Sequence, residues 1–253
     1  MHPDWTAGEE FLKKADARFI PFMEKYGHCN LRPTEPKKYY ISLLKAILSR
    51  ELPVEAARMS VAAIEEKYGE APRPEDFITN RFRGLHISSM GFHSTAFGLT
   101  EKILSGEVPI DSFPEMEDAA IVSCLRKVKG LERWTAEMFL VLVMARPDVF
   151  PSKDIPLQKC LQEFYGLPEK PKNTRDENPL TAPWRPWRTL AVWYLWQAYN
   201  EQQEAREKAR AERRELEKKA EAEAAAKKKR DFRRPQSAPD QYRPKIRVWR
   251  AKE

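Results

Sequence analysis

The chain has 253 residues, 42 % of them hydrophobic, which suits one globular domain of roughly 200 residues with its own core plus an appendage. Its formal net charge of +7 lies in residues 201–253, which hold 18 Lys and Arg against 11 Asp and Glu; residues 1–200 hold 27 of each sign. Cys29, Cys124 and Cys160 are far apart and form no CxxC pair, so neither a zinc site nor a disulfide framework is indicated, and a reducing compartment is the simplest context. The absence of an apolar run of about 18 residues and of a charged-then-apolar leader argues against a membrane span and a signal peptide.

Residues 5–26 read as one amphipathic helix with Phe11, Phe19, Phe22 and Tyr26 as its buried positions. GHCNLRPTEPKK (27–38) is a loop. Helices are expected over 39–48 and 54–68, the second with Pro53 near its start, where a missing N–H costs nothing. Pro74 can open a short helix inside APRPEDF (71–77). A turn at Met90-Gly91 should precede a helix over 94–104. Residues 118–128 form a helix with Ile121, Val122, Leu125 and Val128 on one face. Residues 135–144 are apolar all round, which places that helix in the centre of the fold. Another helix runs over 155–165, and 167–186 is a Pro-rich exposed loop. WRPWRTLAVWYLWQAY then closes the globular part with an aromatic helix in which Trp184, Trp187 and Trp193 fill core. No segment has a trustworthy strand period and no repeat is found, so the class is all-α, with helices packed in pairs around a core.

Residues 201–230 change character: they are almost entirely Ala, Glu, Lys, Arg and Gln, with Leu216 as the only large apolar side chain. Glu204–Lys208, Glu215–Lys219 and Glu223–Lys227 have the favourable i,i+4 order. The segment forms a solvated helix without a heptad seam, so a coiled coil is not expected. Residues 231–253 are a basic tail with few core-forming residues, expected to be disordered until bound. Such a tail attracts polyanions, either nucleic acid or an acidic membrane surface, or serves only solubility.

The most informative stretch is 128–157, VKGLERWTAEMFLVLVMARPDVFPSKDIPL. Gly130 lets the backbone turn with positive φ between two helices. The amides that open the second helix then face outward, where they bind phosphate without reading sequence. Lys127, Lys129 and Arg133 add charge at that place, and Gly130, Leu131, Glu132 and Thr135 complete the candidate backbone-binding set. A plain αα-hairpin shares this pattern. Trp134 stands at the mouth of the apolar helix, as a stacking surface for a base. Asp154 opens the following helix and puts one carboxylate in reach. An Asp in that place is ordinarily an N-cap; the two roles are compatible, because the amides of a helix N-terminus favour an anion.

This stretch resembles the hairpin and catalytic-Asp signature of the helix–hairpin–helix (HhH-GPD) DNA glycosylases, in the 3-methyladenine DNA glycosylase II branch. KGLERWTAEMFLVLVMARPDVFPSKDIPL (129–157) is similar almost end to end, and WRPWRTLAVWYLW (184–196) is similar to the branch's closing helix. YYISLLKAILSRELPVEAAR (39–58) resembles, less closely, the helix and turn that carry the DNA wedge; together the match spans roughly residues 25–198. The resemblance implies a monofunctional glycosylase of base excision repair that flips a damaged, alkylated base out of double-stranded DNA and hydrolyses its glycosidic bond. It implies that Asp154 stabilises the positive charge developing at C1′. It assigns Trp134, Trp196, Met138 and Ile155 to the base pocket, and Leu52 with Glu51 to the wedge. Electron-rich rings favour cationic N-alkylated purines. In strand-cleaving members the position of Trp134 is a Lys that forms a Schiff base; Trp cannot, so water is the acceptor. No cofactor, no metal, no membrane and a monomeric state are implied. The setting is intracellular, nuclear in a eukaryote (KKKR and RR would then read as a nuclear signal) and otherwise cytoplasmic at the nucleoid.

Three departures stand out. Glu132 replaces the hairpin's usual second Gly and sets a carboxylate beside a phosphate-binding turn. Ser49-Arg50-Glu51-Leu52-Pro53 replaces the usual Gly-Gln-Gln-Leu-Ser. Met138 and Ile155 make the pocket less aromatic than in some relatives. Two other classes therefore stand beside the enzyme: a non-catalytic DNA-binding protein on the same scaffold, and a partner-docking protein acting through the charged tail. Charge in the tail is expected to offset Glu132. Removing 201–253 should weaken DNA binding and flatten its dependence on salt, measured as the slope of log affinity against log salt concentration; an unchanged slope would make the tail irrelevant to DNA.

Overall fold

The computed structural model describes residues 3–80, 82–85, 87–167 and 179–232, and among them every regular element is helical. Most of the Pro-rich stretch expected as a loop and nearly all of the basic tail lie outside the described residues. The first expected helix is broken into α1 (Trp5–Ala15), one 3₁₀ turn (Ala17–Phe19) and α2 (Ile20–Tyr26). Asp16 is the cause. Its backbone is extended (φ −154°, ψ 93°), and its carboxylate accepts from the Arg18 amide to cap the next turn instead of continuing α1. The break leaves Phe11 37 % exposed, which corrects the expectation that it is buried; Phe19 is fully buried, and Phe22 and Tyr26 are half-buried.

Helices α3 (Tyr39–Glu51), α4 (Val54–Tyr68) and α5 (Pro74–Asn80) follow the sequence pattern closely. Helix α6 (Met90–Leu104) starts earlier than expected, because Ser89 caps it by accepting from the Phe92 amide at 3.0 Å. Gly91 is therefore a helical residue and not a turn; its missing side chain leaves room for the Glu51 carboxylate. Helices α7 (Asp118–Leu125), α8 (Arg133–Leu142) and α9 (Ile155–Phe164) come next, and α10 opens at Arg188 and runs to Phe232. In α8, Ala136, Phe139, Leu140 and Val141 are buried, but Leu142 is exposed and Trp134 and Met138 are half-buried, so this helix is not enclosed on every side.

Two cores result. One is built from α3 to α8, with Leu43, Leu44, Ile47, Phe92, Leu125 and Leu140 at its centre. The other joins the N-terminal helices to α9 and the first turns of α10 through Leu12, Phe19, Leu157, Leu161, Trp184 and Tyr194. Trp184 and Trp193 are buried there and Trp187 is half-buried against it. Leu31 and Trp196 pack against both cores. The loop from α8 to α9 is pinned where the cores meet. Arg146 donates to the carbonyls of Phe113, Pro114 and Met116 (2.9, 3.1 and 2.9 Å). The Thr189 hydroxyl donates to Arg146 O and accepts from the Val149 amide, and Arg188 Nε donates to Asp148 at 2.6 Å. The loop that carries Asp154 is thereby fixed to the helix that carries Trp196.

The chain divides into two compact units, Met1–Glu201 and Gln202–Glu253. In the second, the helix is solvated as far as its side chains are described, and Leu216 is 68 % exposed. Arg213 pairs with Glu217 at 2.9 Å; Glu215 pairs with Lys218 at 3.6 Å, and not with the expected Lys219. No helix among the described residues is long and apolar enough to cross a membrane.

Asp16 also ties the second core together. It accepts from Arg18 Nε and Nη2 (2.8 and 2.9 Å) and from the Trp184 indole (3.1 Å). Burial alone would raise its pKa, but the hydrogen bonds from Arg18 and Trp184 outweigh burial and hold it below the ordinary carboxylate value. A lowered folded pKa means stability that is present above the unfolded pKa and lost as pH falls through the folded one. Asp16→Asn should cost about 2 kcal/mol near neutral pH, and the gap to wild type should close below about pH 4, as read by urea unfolding across pH.

Candidate active site

Asp154 is the N-cap of α9. Its Oδ1 accepts from the Leu157 amide at 2.8 Å, the geometry of an ordinary cap. The same oxygen accepts from Trp196 Nε1 at 3.1 Å, and Oδ2 accepts from Trp134 Nε1 at 3.3 Å. Only 6 % of the residue is exposed. Three donors from α8, α9 and α10 thus converge on one buried carboxylate. A carboxylate has about four acceptor positions, so the three bonds leave Oδ2 room for another partner. The indoles donate through their edges, and both rings are half-buried, so part of their surface stays accessible. A fixed anion beside aromatic surface can stabilise a cation and hold a flat ring next to it.

The Cys160 thiol is no rival nucleophile. Cys160 donates to Leu195 O at 3.3 Å, and burial first, then the negative charges of Glu163 and Asp154, push its thiol up to about 12. Lys129 and Lys153 are exposed. Ile155 is 58 % exposed beside the carboxylate, and Met138 is half-buried one turn along α8 from Trp134. A cavity of about 360 Å³ lies between α7, α8 and the start of α10, but Arg126, Arg188, Asp118 and Asp148 line it. Its charged side chains form the Arg188–Asp148 and Arg133–Glu137 ion pairs beside the ring of Phe150, a poorer surface for a base than two indoles, so Asp154 is the candidate site.

The hairpin is present as α7, a turn and α8. Gly130 has φ 95°, the left-handed conformation that favours glycine. Glu132 is the N-cap of α8 and makes no side-chain cap, so its carboxylate does not occupy the first amides. Lys127, Lys129 and Glu132 are exposed. Leu131 and Thr135 are buried, which leaves only their backbone for any phosphate, and Arg133 is held by Glu137 at 2.7 Å. In the expected wedge, Leu52 is half-buried against the first core, and Glu51 is turned back to Arg50 at 2.7 Å. Sequence reasoning missed the role of Arg50: its Nη1 donates to the Gly130 carbonyl. Eighty residues separate the two, and no local pattern reports that contact.

No family model matches the chain. The alkylbase DNA glycosidase-like protein mag2 of Schizosaccharomyces pombe is 30 % identical over 204 residues, covering 77 % of this chain and 93 % of that protein. The chain belongs to the helix–hairpin–helix DNA glycosylases, in the 3-methyladenine branch. DNA-3-methyladenine glycosylase 1 of the same yeast is 28 % identical over 202 residues, covering 76 % of this chain and 86 % of its own length. A solved structure, that of the S. pombe 3-methyladenine DNA glycosylase Mag1 in complex with abasic DNA, superposes with a TM-score of 0.62 at 26 % identity over 76 % of this chain and 95 % of that one. The all-α fold expected for this family is therefore the fold observed.

The three-donor geometry can be tested without substrate. Trp196→Phe keeps the ring and removes one donor, while Asp154→Asn keeps a competent cap and removes the charge. A double-mutant cycle on unfolding free energy should give a coupling of about 1.5 kcal/mol for Trp134 with Asp154, whose Oδ2 becomes an amide nitrogen in the variant, and less for Trp196, whose acceptor Oδ1 is kept with the cap. Zero coupling for both would mean that the indoles do not hold the carboxylate.

Proposed function

We propose that this glycosylase-family chain is a monofunctional DNA glycosylase of base excision repair: it flips an alkylated base out of duplex DNA and hydrolyses its N-glycosidic bond. The observation that carries the reading is the buried Asp154 carboxylate fixed by two indoles from different helices. An N-alkylated purine is cationic. When its bond to C1′ breaks, the electron pair leaves with the base, which departs neutral, and positive charge passes to the sugar. A preorganised anion in a water-poor site stabilises that sugar cation far more than it stabilises the starting nucleotide. Water then adds to C1′ and loses a proton.

Trp134 and Trp196 act twice in this scheme. Their N–H groups hold the carboxylate, and their rings offer surface for the flipped base. Trp134 carries no amine, so no Schiff base forms at that position and the strand stays intact. Met138 and the exposed Ile155 would border the base and set how large a lesion is accepted. Leu52 is the candidate to fill the gap in the duplex, with Glu51 beside it. The hairpin amides at Gly130 to Thr135, with Lys127 and Lys129, would hold the backbone of the damaged strand. The DNA substrate would put the protein's work in a nucleus or at a nucleoid.

Base release from alkylated duplex DNA tests the reading. Asp154→Asn, which keeps the helix cap, should lower the single-turnover rate by about 100- to 1,000-fold with binding little changed. Equal release by both proteins would remove Asp154 from the chemistry. No release by either, with DNA binding retained, would point to the same scaffold without catalysis.

A further inference from the structure

Arg50 closes a ring of contacts that its sequence neighbours do not explain. It lies in the last turn of α3, and its Nε and Nη2 donate to Glu51 Oε1 at 3.1 and 2.7 Å. Its Nη1 donates to the carbonyl of Gly130, at the apex of the hairpin. The next amide, Leu131 N–H, donates to Val128 O at 3.0 Å. The Gly130–Leu131 peptide is thus held from both sides, by its own hairpin and by a guanidinium from another helix. Glu51 in turn fills the space beside Gly91 at the start of α6, and Thr95 of α6 closes on Gly130. Gly130 has a left-handed backbone and a side chain there would meet the Thr95 hydroxyl, while a side chain at 91 would push the Glu51 carboxylate aside.

A structural clasp alone needs only part of this arginine. Its guanidinium carries five N–H donors, and three of them are engaged among the described residues, leaving two. The Arg50 side chain remains 33 % exposed. Two free N–H groups on a planar cation match the oxygens of a phosphate. Such a cation would add to the exposed Lys127 and Lys129 at the turn. Arg133 is held by Glu137, and Glu132 puts a negative charge on the rim of the turn. Arg50 and Glu132 are the chain's departures at two separate motifs, and the fold brings Arg50 to within two residues of Glu132.

We propose that Arg50 is an added element of the phosphate-binding turn: it positions the Gly130–Leu131 peptide and gives its remaining donors to the DNA backbone phosphate at the hairpin, offsetting Glu132. Glu51 holds the guanidinium in place. This rests on the DNA-binding role proposed above and adds to it a residue from a different helix.

The test is binding of the full-length protein to a duplex oligonucleotide over a range of salt concentrations. Arg50→Gln should bind several-fold more weakly at low salt, with the slope of log affinity against log salt reduced by about 0.9, the loss of one phosphate contact. Arg50→Lys should keep the wild-type slope. An Arg50→Gln slope equal to wild type, whether or not its melting temperature falls, would reduce Arg50 to a clasp and overturn the proposal. If Arg50→Gln does not fold, a reduced slope in Arg50→Lys overturns it instead. A wild-type protein with no salt-dependent DNA affinity would sink the DNA-binding role itself, an outcome distinct from failure of the Arg50 contact alone.

Discussion

A carboxylate taken out of water must be given hydrogen-bond donors, and much of this fold is arranged to supply them to Asp154. An unpaired buried charge costs several kcal/mol, enough to consume a large part of a domain's net stability. The cap amide comes free with α9, because an Asp before a helix finds it locally. The two indoles do not come free. Each requires a separate helix to arrive at a set distance, one from the first core and one from the strip where both cores meet. The Thr189 and Arg188 bonds that pin the α8–α9 loop to α10 are the mechanical counterpart of that requirement. They hold the acceptor and one of its donors on adjoining pieces of backbone.

The same constraint links reaction type to architecture. At position 134 a tryptophan supplies both a donor to Asp154 and a ring. A lysine there would supply a donor and a nucleophile but no surface for a base. In the proposed mechanism, Trp at this position would give up the covalent route in return for aromatic area while helping to hold the anion on which the hydrolytic route depends. A cationic substrate makes that exchange favourable, since both the rings and the carboxylate attract positive charge. A neutral lesion would gain from the carboxylate only after its bond had begun to break.

What the sequence made legible was local. Asp154 as a cap, Gly130 as a left-handed turn, and α4 and α5 with their proline-assisted starts all follow from rules that act over four residues. The family likeness added Trp196, whose bond to Asp154 spans 42 residues and has no signature of its own. Where reading by pattern failed, a side chain had a better local partner than the pattern supposed. Asp16 broke the first helix by capping its successor, and Ser89 started α6 four residues early by the same means. Gly91 was read as a turn residue because glycine usually marks one, but its role is to leave space for Glu51, which lies 40 positions away. The Arg50 contact was illegible for the same reason, being wholly tertiary.

The electrostatics of the hairpin also shift once these distances are known. From composition, the tail looked like the source of charge that offsets Glu132, because all of the chain's net charge lies there. Charge offsets a neighbour only from nearby, however: at physiological ionic strength the screening length is about 8 Å. Arg50 meets that condition through its hydrogen bond to Gly130, and Lys127 and Lys129 meet it through the chain itself. Charges after residue 201 belong to a separate compact unit. If the tail binds DNA, its contribution would be additive counterion release, which raises affinity without placing the lesion. On the proposed reading, placement would fall to the residues around Gly130, where the Arg50 guanidinium, held by Glu51, adds to the charge of Lys127 and Lys129.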